Sequence, residues 1–220
     1  KKSMNRLFAF TRTRLSVSAY GKFESCKAAY ILSTHYQVAD GLESEALRNG
    51  IQVHKEFESV DVIHGFKVLE HEKKVEIDNV ATGAWMGYID AICDDGDGHQ
   101  FVVDIKTSKR PATLSWARGY LHSLQAALYT VATGIETFAI YHPTDEKLFF
   151  TNLNLPTSKL RLRRAFNNFM SWQNAGQQYS CARKWSCRFC EYQGHCEWLI
   201  ENPNAKLPLT LKKRDNSTRS

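Results

Sequence analysis

The clearest pattern of polar and apolar positions along the chain is a pair of alternating runs on either side of one turn. From Trp85 to Cys93 the side chains alternate with the period of two that a strand requires. The stretch Asp94-Asp95-Gly96-Asp97-Gly98 is turn chemistry, with glycines free to take positive φ. From Gln100 to Thr107 a β-branched run resumes, with polar residues at alternate positions. The two runs predict a β-hairpin. With its turn centred near Asp97, Asp90 and Asp104 each lie seven residues from the centre and face one another across the strands. Cross-strand partners on one face have Cβ atoms within about 5.5 Å. Lys106, two residues beyond Asp104, points to the same side.

Other elements follow from helical spacing. Leu15 to Ser18 opens a helix, with Ser16 or Ser18 placed to cap it, and Phe23, Cys26, Tyr30 and Ile31 share one of its faces. A second helix spans Glu43 to Val60. Its apolar face carries Leu47, Gly50, Ile51, His54 and Phe57, where the plain reading of His54 is a core histidine. Phe66 to His71 reads as a strand, followed by a charged turn and a second short strand. A long helix from about Leu114 to Thr133 has Ala117, Leu121, Leu124 and Leu128 as its stripe. Gln125 and Tyr129, four apart, share a border of that stripe. Phe138 to His142 and Lys147 to Leu153 are strands. Thr157 to Ala175 is a helix with Leu162, Phe166, Phe169 and Met170 inward. Its other face carries Lys159, Arg161, Arg163 and Arg164, which is either a solvated face or a contact for a phosphate backbone. Strands and helices in this order give an α/β fold.

Length and composition fit a single domain over residues 1–200 and a basic tail over 201–220 with few large apolar residues. The 29 basic against 23 acidic residues leave +6, which suits a polyanionic partner without requiring one. No apolar run approaches the roughly 18 residues of a membrane span, and the first residues lack the apolar core of a signal peptide. The expectation is a soluble, cytoplasmic protein with no membrane partner. There is no G-x-x-x-x-G-K-[ST] motif, so any unwinding of nucleic acid would belong to a helicase or recombination partner.

Two groups of residues carry chemistry. Paired carboxylates such as Asp90 and Asp104 suit a hard cation, Mg²⁺ or Mn²⁺, which prefers oxygen ligands. Such an ion acidifies a bound water and withdraws charge from a phosphoryl oxygen, and a neighbouring lysine can orient that water or stabilise charge on phosphate. A hairpin whose charges merely face solvent fits poorly with Val102, Val103 and Ile105, which imply a buried strand. The second group is C-x2-C-x5-C, formed by Cys187, Cys190 and Cys196, in a compartment where clustered cysteines bind metal. Cys181 upstream could complete a local Zn²⁺ knuckle.

Gly87-Tyr88-Ile89-Asp90 followed by Asp104-Ile105-Lys106 resembles the G-x-x-D and D-x-K strands of the PD-(D/E)XK nuclease superfamily, in its RecB-like branch. Gly50 and His54 match that branch's G-x-x-x-H, and Gln125 and Tyr129 its Q-x-x-x-Y. The segment LSVSAYGKFESCKAAYIL resembles its serine-capped, cysteine-bearing opening helix. The resemblance runs from about Leu15 to Trp198. It implies a central mixed sheet flanked by helices, and a metal-dependent DNA nuclease, foremost an exonuclease, acting on single strands or duplex ends in recombination, repair, or phage or CRISPR DNA processing. Asp90, Asp104, His54 and the carbonyl of Ile105 would hold the metal, Lys106 would position water, and Gln125 and Tyr129 would support the site. It also implies a [4Fe-4S] cluster on Cys26, Cys187, Cys190 and Cys196, as in the AddB subunit and the CRISPR spacer-trimming nuclease, stapling the carboxyl-terminal segment to the first helix. A catalytically inactive DNA-binding module and a zinc-bearing interaction protein are the competing classes.

Overall fold

The computed structural model describes residues 14–35 and 45–175, together with Cys190, Tyr192 and Cys196. These residues form two compact units. The larger, residues 14–17 and 45–168, contains one mixed sheet of seven strands. Strand β1 is Leu15–Ser16, β2 Val62–Ile63, β3 Phe66–Asn79, β4 Gly83–Asp94, β5 Gln100–Ile105, β6 Thr137–His142 and β7 Lys147–Asn152. The spatial order is β2-β3-β4-β5-β6-β7, with β1 added parallel to β4 at Trp85 and Met86.

The expected hairpin is β4 and β5. Their pairing runs from Asp94↔Gln100 to Ala91↔Val103, and the same register extended by one residue sets Asp90 opposite Asp104. Its turn is built as the sequence dictates. Asp94 Oδ1 accepts the Gly96 N–H, Asp95 Oδ1 accepts the Asp97 N–H, and Gly96 and Gly98 sit at φ +94° and +87°. β5 then pairs parallel with β6, a connection too long for a tight turn, and two helices supply the crossover: α4, Leu114–Leu121, and α5, Leu124–Thr133.

One apolar cluster gathers Ala91, Cys93, Phe101, Val103, Ile105, Ala139 and Tyr141 from the inner strands. Helix α3, Glu45–Phe57, packs Val53 and Phe57 against it. α5 lies on β4, where a Cβ added at Gly87 would come within 3.0 Å of Leu128 and 3.2 Å of Tyr129. That approach explains the glycine at 87: any larger residue would push α5 away from the strand.

Several expected elements differ. The helix expected over Leu114–Thr133 is two helices, because Ser123 caps a new one with its side chain on the Ala126 N–H. Leu15 and Ser16 are strand, and the helix after them divides into α1, Val17–Ser25, and α2, Lys27–His35, at Cys26. No turn interrupts β3 after His71. Pairing with β4 carries it through to Asn79, and the charged stretch is accommodated by Lys73–Glu70 and Lys74–Glu76 ion pairs at 2.8 and 2.6 Å, with Arg14 also on Glu76. Helix α6 is Leu155–Asn174.

The smaller unit holds residues 18–35, 169–175 and the three isolated residues. Its core is aromatic. Phe23 and Tyr30 pack on Phe169 and Trp172 with ring centroids between 5.0 and 5.7 Å apart. Cys181, Cys187 and the tail over 201–220 lie outside the described residues. Among the described residues, no helix is long and apolar enough to cross a membrane.

Candidate metal centre

The hairpin brings Asp90, Asp104 and Lys106 together, and α3 adds His54. Asp90 Oδ2 accepts the backbone N–H of Ile105 at 2.6 Å, so the first carboxylate is held by the strand that carries the second. Its other oxygen, Oδ1, lies 3.5 Å from His54 Nδ1. This hydrogen bond raises the His54 pKa above its ordinary value, with burial opposing it. His54 is only partly buried and faces Asp90, so it is not a core histidine.

Asp104 is 1% exposed. One of its oxygens meets Lys106 Nζ at 2.7 Å, while Oδ1 is buried with no hydrogen-bond partner among the described residues. Burial pushes its pKa up to about 6, against the pull of the Lys106 charge and with the help of Asp90. Burial acts to lower the Lys106 pKa, but Asp104 and Asp90 outweigh it and the net shift is upward, so Lys106 is an ammonium ion at neutral pH. It is therefore an electrostatic and positioning group rather than a base.

Gln125 and Tyr129 lie one helical turn apart on α5 and are bonded to each other, Gln125 Nε2 donating to the Tyr129 hydroxyl at 2.7 Å. The Tyr129 hydroxyl in turn donates to the carbonyl of Tyr88 in the G-x-x-D strand. Tyr129 is buried, which together with the charges of Asp104 and Asp90 raises its pKa and keeps it a neutral donor. The helix thereby grips β4 two residues before Asp90.

A cleft of about 460 Å³ opens beside these groups, lined among others by Gly50, His54, Glu58, Glu72, Asp90 and Thr107. Gly50 faces the Thr107 hydroxyl at 3.5 Å for an added Cβ, so α3 passes close to the end of the D-x-K strand. The sequence reading did not single out Glu72. One ligand atom each from His54, Glu72 and Asp90 lies within 4.8 Å of the other two. Nothing in the local pattern marks Glu72, because its segment reads as a charged turn and only pairing with β4 carries it to Asp90. Arg161 Nη2 donates to the His122 carbonyl at 2.5 Å, beside the end of α4. Arg163 and Arg164 are exposed on α6.

In the smaller unit, Lys22 Nζ lies 3.2 Å from the Tyr192 hydroxyl and 5.6 Å from the centre of its ring. The Cys26 N–H donates to the Lys22 carbonyl, and the Cys196 N–H to the Tyr192 carbonyl. One α1–segment contact therefore has cysteines one turn away on both sides.

No protein-family model matches the chain, and no curated protein matches it. Its fold is similar to solved structures. The crystal structure of SSO0001 matches at a TM-score of 0.57 and 18% identity, over 86% of this chain and 88% of the other. A protein from Eubacterium rectale, named as a candidate exonuclease, matches at 0.57 and 15% identity, over 80% and 88%. At such identities the likeness concerns the mixed α/β fold.

Proposed function

We propose that this protein is a Mg²⁺- or Mn²⁺-dependent deoxyribonuclease of the PD-(D/E)XK type in its RecB-like branch, foremost an exonuclease. The observation that carries the reading is the juxtaposition of Asp90 and Asp104 across the hairpin, with His54 against Asp90 and Lys106 against Asp104. The name of the Eubacterium rectale neighbour points the same way. The donor set fits a divalent cation: the carboxylate of buried Asp104 is met on one oxygen by Lys106, while its Oδ1 has no hydrogen-bond partner among the described residues, a costly arrangement that a cation would relieve. Asp90, Asp104, His54 and the Ile105 carbonyl would hold it.

When bound, such an ion supplies an acidified water and charge withdrawal from the scissile phosphate. The chain's own residues do the rest. Lys106, an ammonium fixed by Asp104, orients the attacking water and faces the charge that develops on phosphate. Asp90 keeps its orientation through the Ile105 N–H, and Tyr129 with Gln125 holds the strand in place behind it. Arg161, Arg163 and Arg164 are candidates for contact with the DNA backbone.

The cysteine reading is also a proposal: a [4Fe-4S] cluster on Cys26, Cys187, Cys190 and Cys196, with a Zn²⁺ knuckle including Cys181 as the competing arrangement. The Lys22–Tyr192 contact favours the first, because it brings Tyr192, which lies between Cys190 and Cys196 in the sequence, to the helix turn that ends at Cys26. The test of the nuclease reading is degradation of end-labelled single- and double-stranded DNA, with and without Mg²⁺, with product lengths resolved. Cleavage that needs the ion and disappears in Lys106→Ala supports it. Absence of cleavage by anaerobically purified protein on both substrates overturns it, in favour of a DNA-binding module or an interaction protein.

A further inference from the structure

We infer that Trp116 and Tyr120 on α4 form a stacking platform for an unpaired nucleobase of the DNA strand whose phosphate Lys106 faces. The inference rests on the deoxyribonuclease reading above and deepens it, from DNA in general to a strand with unpaired bases at the site.

The first support is the row that the two rings make. Four residues apart, they share one face of α4, with centroids 5.0 Å apart and planes tilted by 56°. Ala117 and Leu121 are the buried side chains of this helix, whereas Trp116 and Tyr120 are only partly buried, so aromatic surface stays within reach of solvent. Such a surface stacks a base of any kind, because every base has a π-face, but it requires a base that is not held in a duplex.

The second support is where the row lies. The Lys106 N–H donates to the Tyr141 carbonyl at 2.9 Å, and the next residue of β6, His142, is the one that Trp116 packs on. Tyr120, one turn further along α4, acts on the Lys106 ammonium itself: burial lowers the Lys106 pKa, while Asp104, Asp90 and Tyr120 raise it. At the end of α4, Arg161 brings a guanidinium to the carbonyl of His122, two residues after Tyr120. Aromatic rings accompanied by an ammonium and a guanidinium are what a single strand offers partners for, with bases to stack and phosphates to neutralise.

The third support is rigidity. The Trp116 indole stands at 86° to the ring of fully buried His142, centroids 5.0 Å apart, and lies 6.4 Å from the Phe149 ring. The approach to α4 is pinned as well. Ala112 donates its N–H to Asp145 Oδ2 at 2.6 Å and accepts Lys147 Nζ on its carbonyl at 3.0 Å. Thr113 then caps the helix on the Trp116 N–H. Rings held in place before a ligand arrives lose little freedom on binding it.

The experiment compares binding of the purified full chain to a short fluorescent oligothymidylate and to its abasic counterpart, which keeps the phosphates and lacks the bases. Ca²⁺ replaces Mg²⁺, so that binding is read without turnover, and melting temperatures are taken on the same samples. The parent is expected to prefer the strand with bases by about tenfold or more. Trp116→Ala and Tyr120→Ala should each lose most of that preference and keep the parent's affinity for the abasic strand. Tyr120→Phe, which keeps the ring, should keep the preference. A variant that folds poorly loses both strands alike, so the ratio reads the platform rather than stability. An unchanged ratio in both alanine variants overturns the inference and leaves the rings as packing of α4 on the sheet. If the parent cleaves DNA in Mg²⁺ yet binds both strands equally, the platform alone fails. If the parent neither binds the strands nor cleaves DNA, the deoxyribonuclease reading fails and the platform with it.

Discussion

Asp90 Oδ2 takes the backbone N–H of Ile105 at 2.6 Å, so one acidic residue of the hairpin is anchored on the peptide that follows the other, Asp104. The bond fixes the separation of the two carboxylates through backbone geometry rather than through side-chain freedom. Whatever occupies the cleft meets a preset pair.

That bond separates two substitutions at one position. Asp90→Asn keeps an oxygen for the Ile105 N–H but removes the charge, so it should lose about 10²–10³ in DNA cleavage with little change in stability. Asp90→Ala should lose the same activity and also about 1–3 kcal/mol, because a buried N–H is left unpaired. Cleavage rates and urea melts on both variants check this. Equal stabilities for the two would show that the anchor is idle.

The pH dependence of stability should carry the signature of Asp104. Its pKa in the folded chain is pushed up to about 6 by burial, above the ordinary carboxylate value of 3.8. The folded state therefore binds the proton more tightly, and its contribution to stability is complete below the unfolded value and lost as pH rises through about 6. In metal-free buffer, the stability of the parent relative to Asp104→Asn should fall between pH 4 and pH 7. Added Mg²⁺ should restore the parent at pH 7 and not the variant. A pH-independent difference in melting temperature would contradict the burial argument.

Two glycines of β4 are expected to resist replacement for different reasons. At Gly83, φ is +78° and an added Cβ would lie 2.2 Å from the Phe166 ring, so Gly83→Ala should cost about 2–4 kcal/mol. At Gly87 the added methyl meets Leu128 at 3.0 Å and Tyr129 at 3.2 Å, so the loss should be smaller, about 1–2 kcal/mol. Gly87→Ala should nevertheless reduce cleavage per folded molecule, because it displaces the tyrosine that holds the Tyr88 carbonyl. Chemical denaturation and rates on the same preparations compare the two.

The cysteine proposal predicts a brown protein, absorbing near 400 nm (a rough expectation for thiolate-bound iron and sulfide), when purified without oxygen. Cys26→Ser should bleach it and lower its melting temperature, and Cys181→Ser should do neither. The zinc arrangement predicts the reverse: a colourless protein that tolerates Cys26→Ser and fails on Cys181→Ser. Metal analysis of the parent and both variants decides between them.

The sequence alone determined what depends on neighbours along the chain. Alternation and one Asp-Gly turn set the hairpin register and so put Asp90 opposite Asp104, and the four-residue spacing on a helix set Gln125 beside Tyr129. Such features need only backbone periodicity, and they carry the centre of the candidate site. Tertiary structure decided the rest. Ser123 breaks a helix whose apolar stripe reads as continuous, because the cap satisfies the backbone where the stripe gives no signal. β3 runs through a stretch as charged as a turn, because β4 lies beside it and pairs its backbone from Lys67 to Asn79, past interruptions at Leu69 and Glu72. That long pairing also carries Glu72 to Asp90 in a left-handed conformation no local pattern encodes, and α5 gives Gly87 its reason by resting on it. Local pattern fixes which atoms can face each other within a hairpin or a helix turn; only the packing of distant segments fixes what else arrives there.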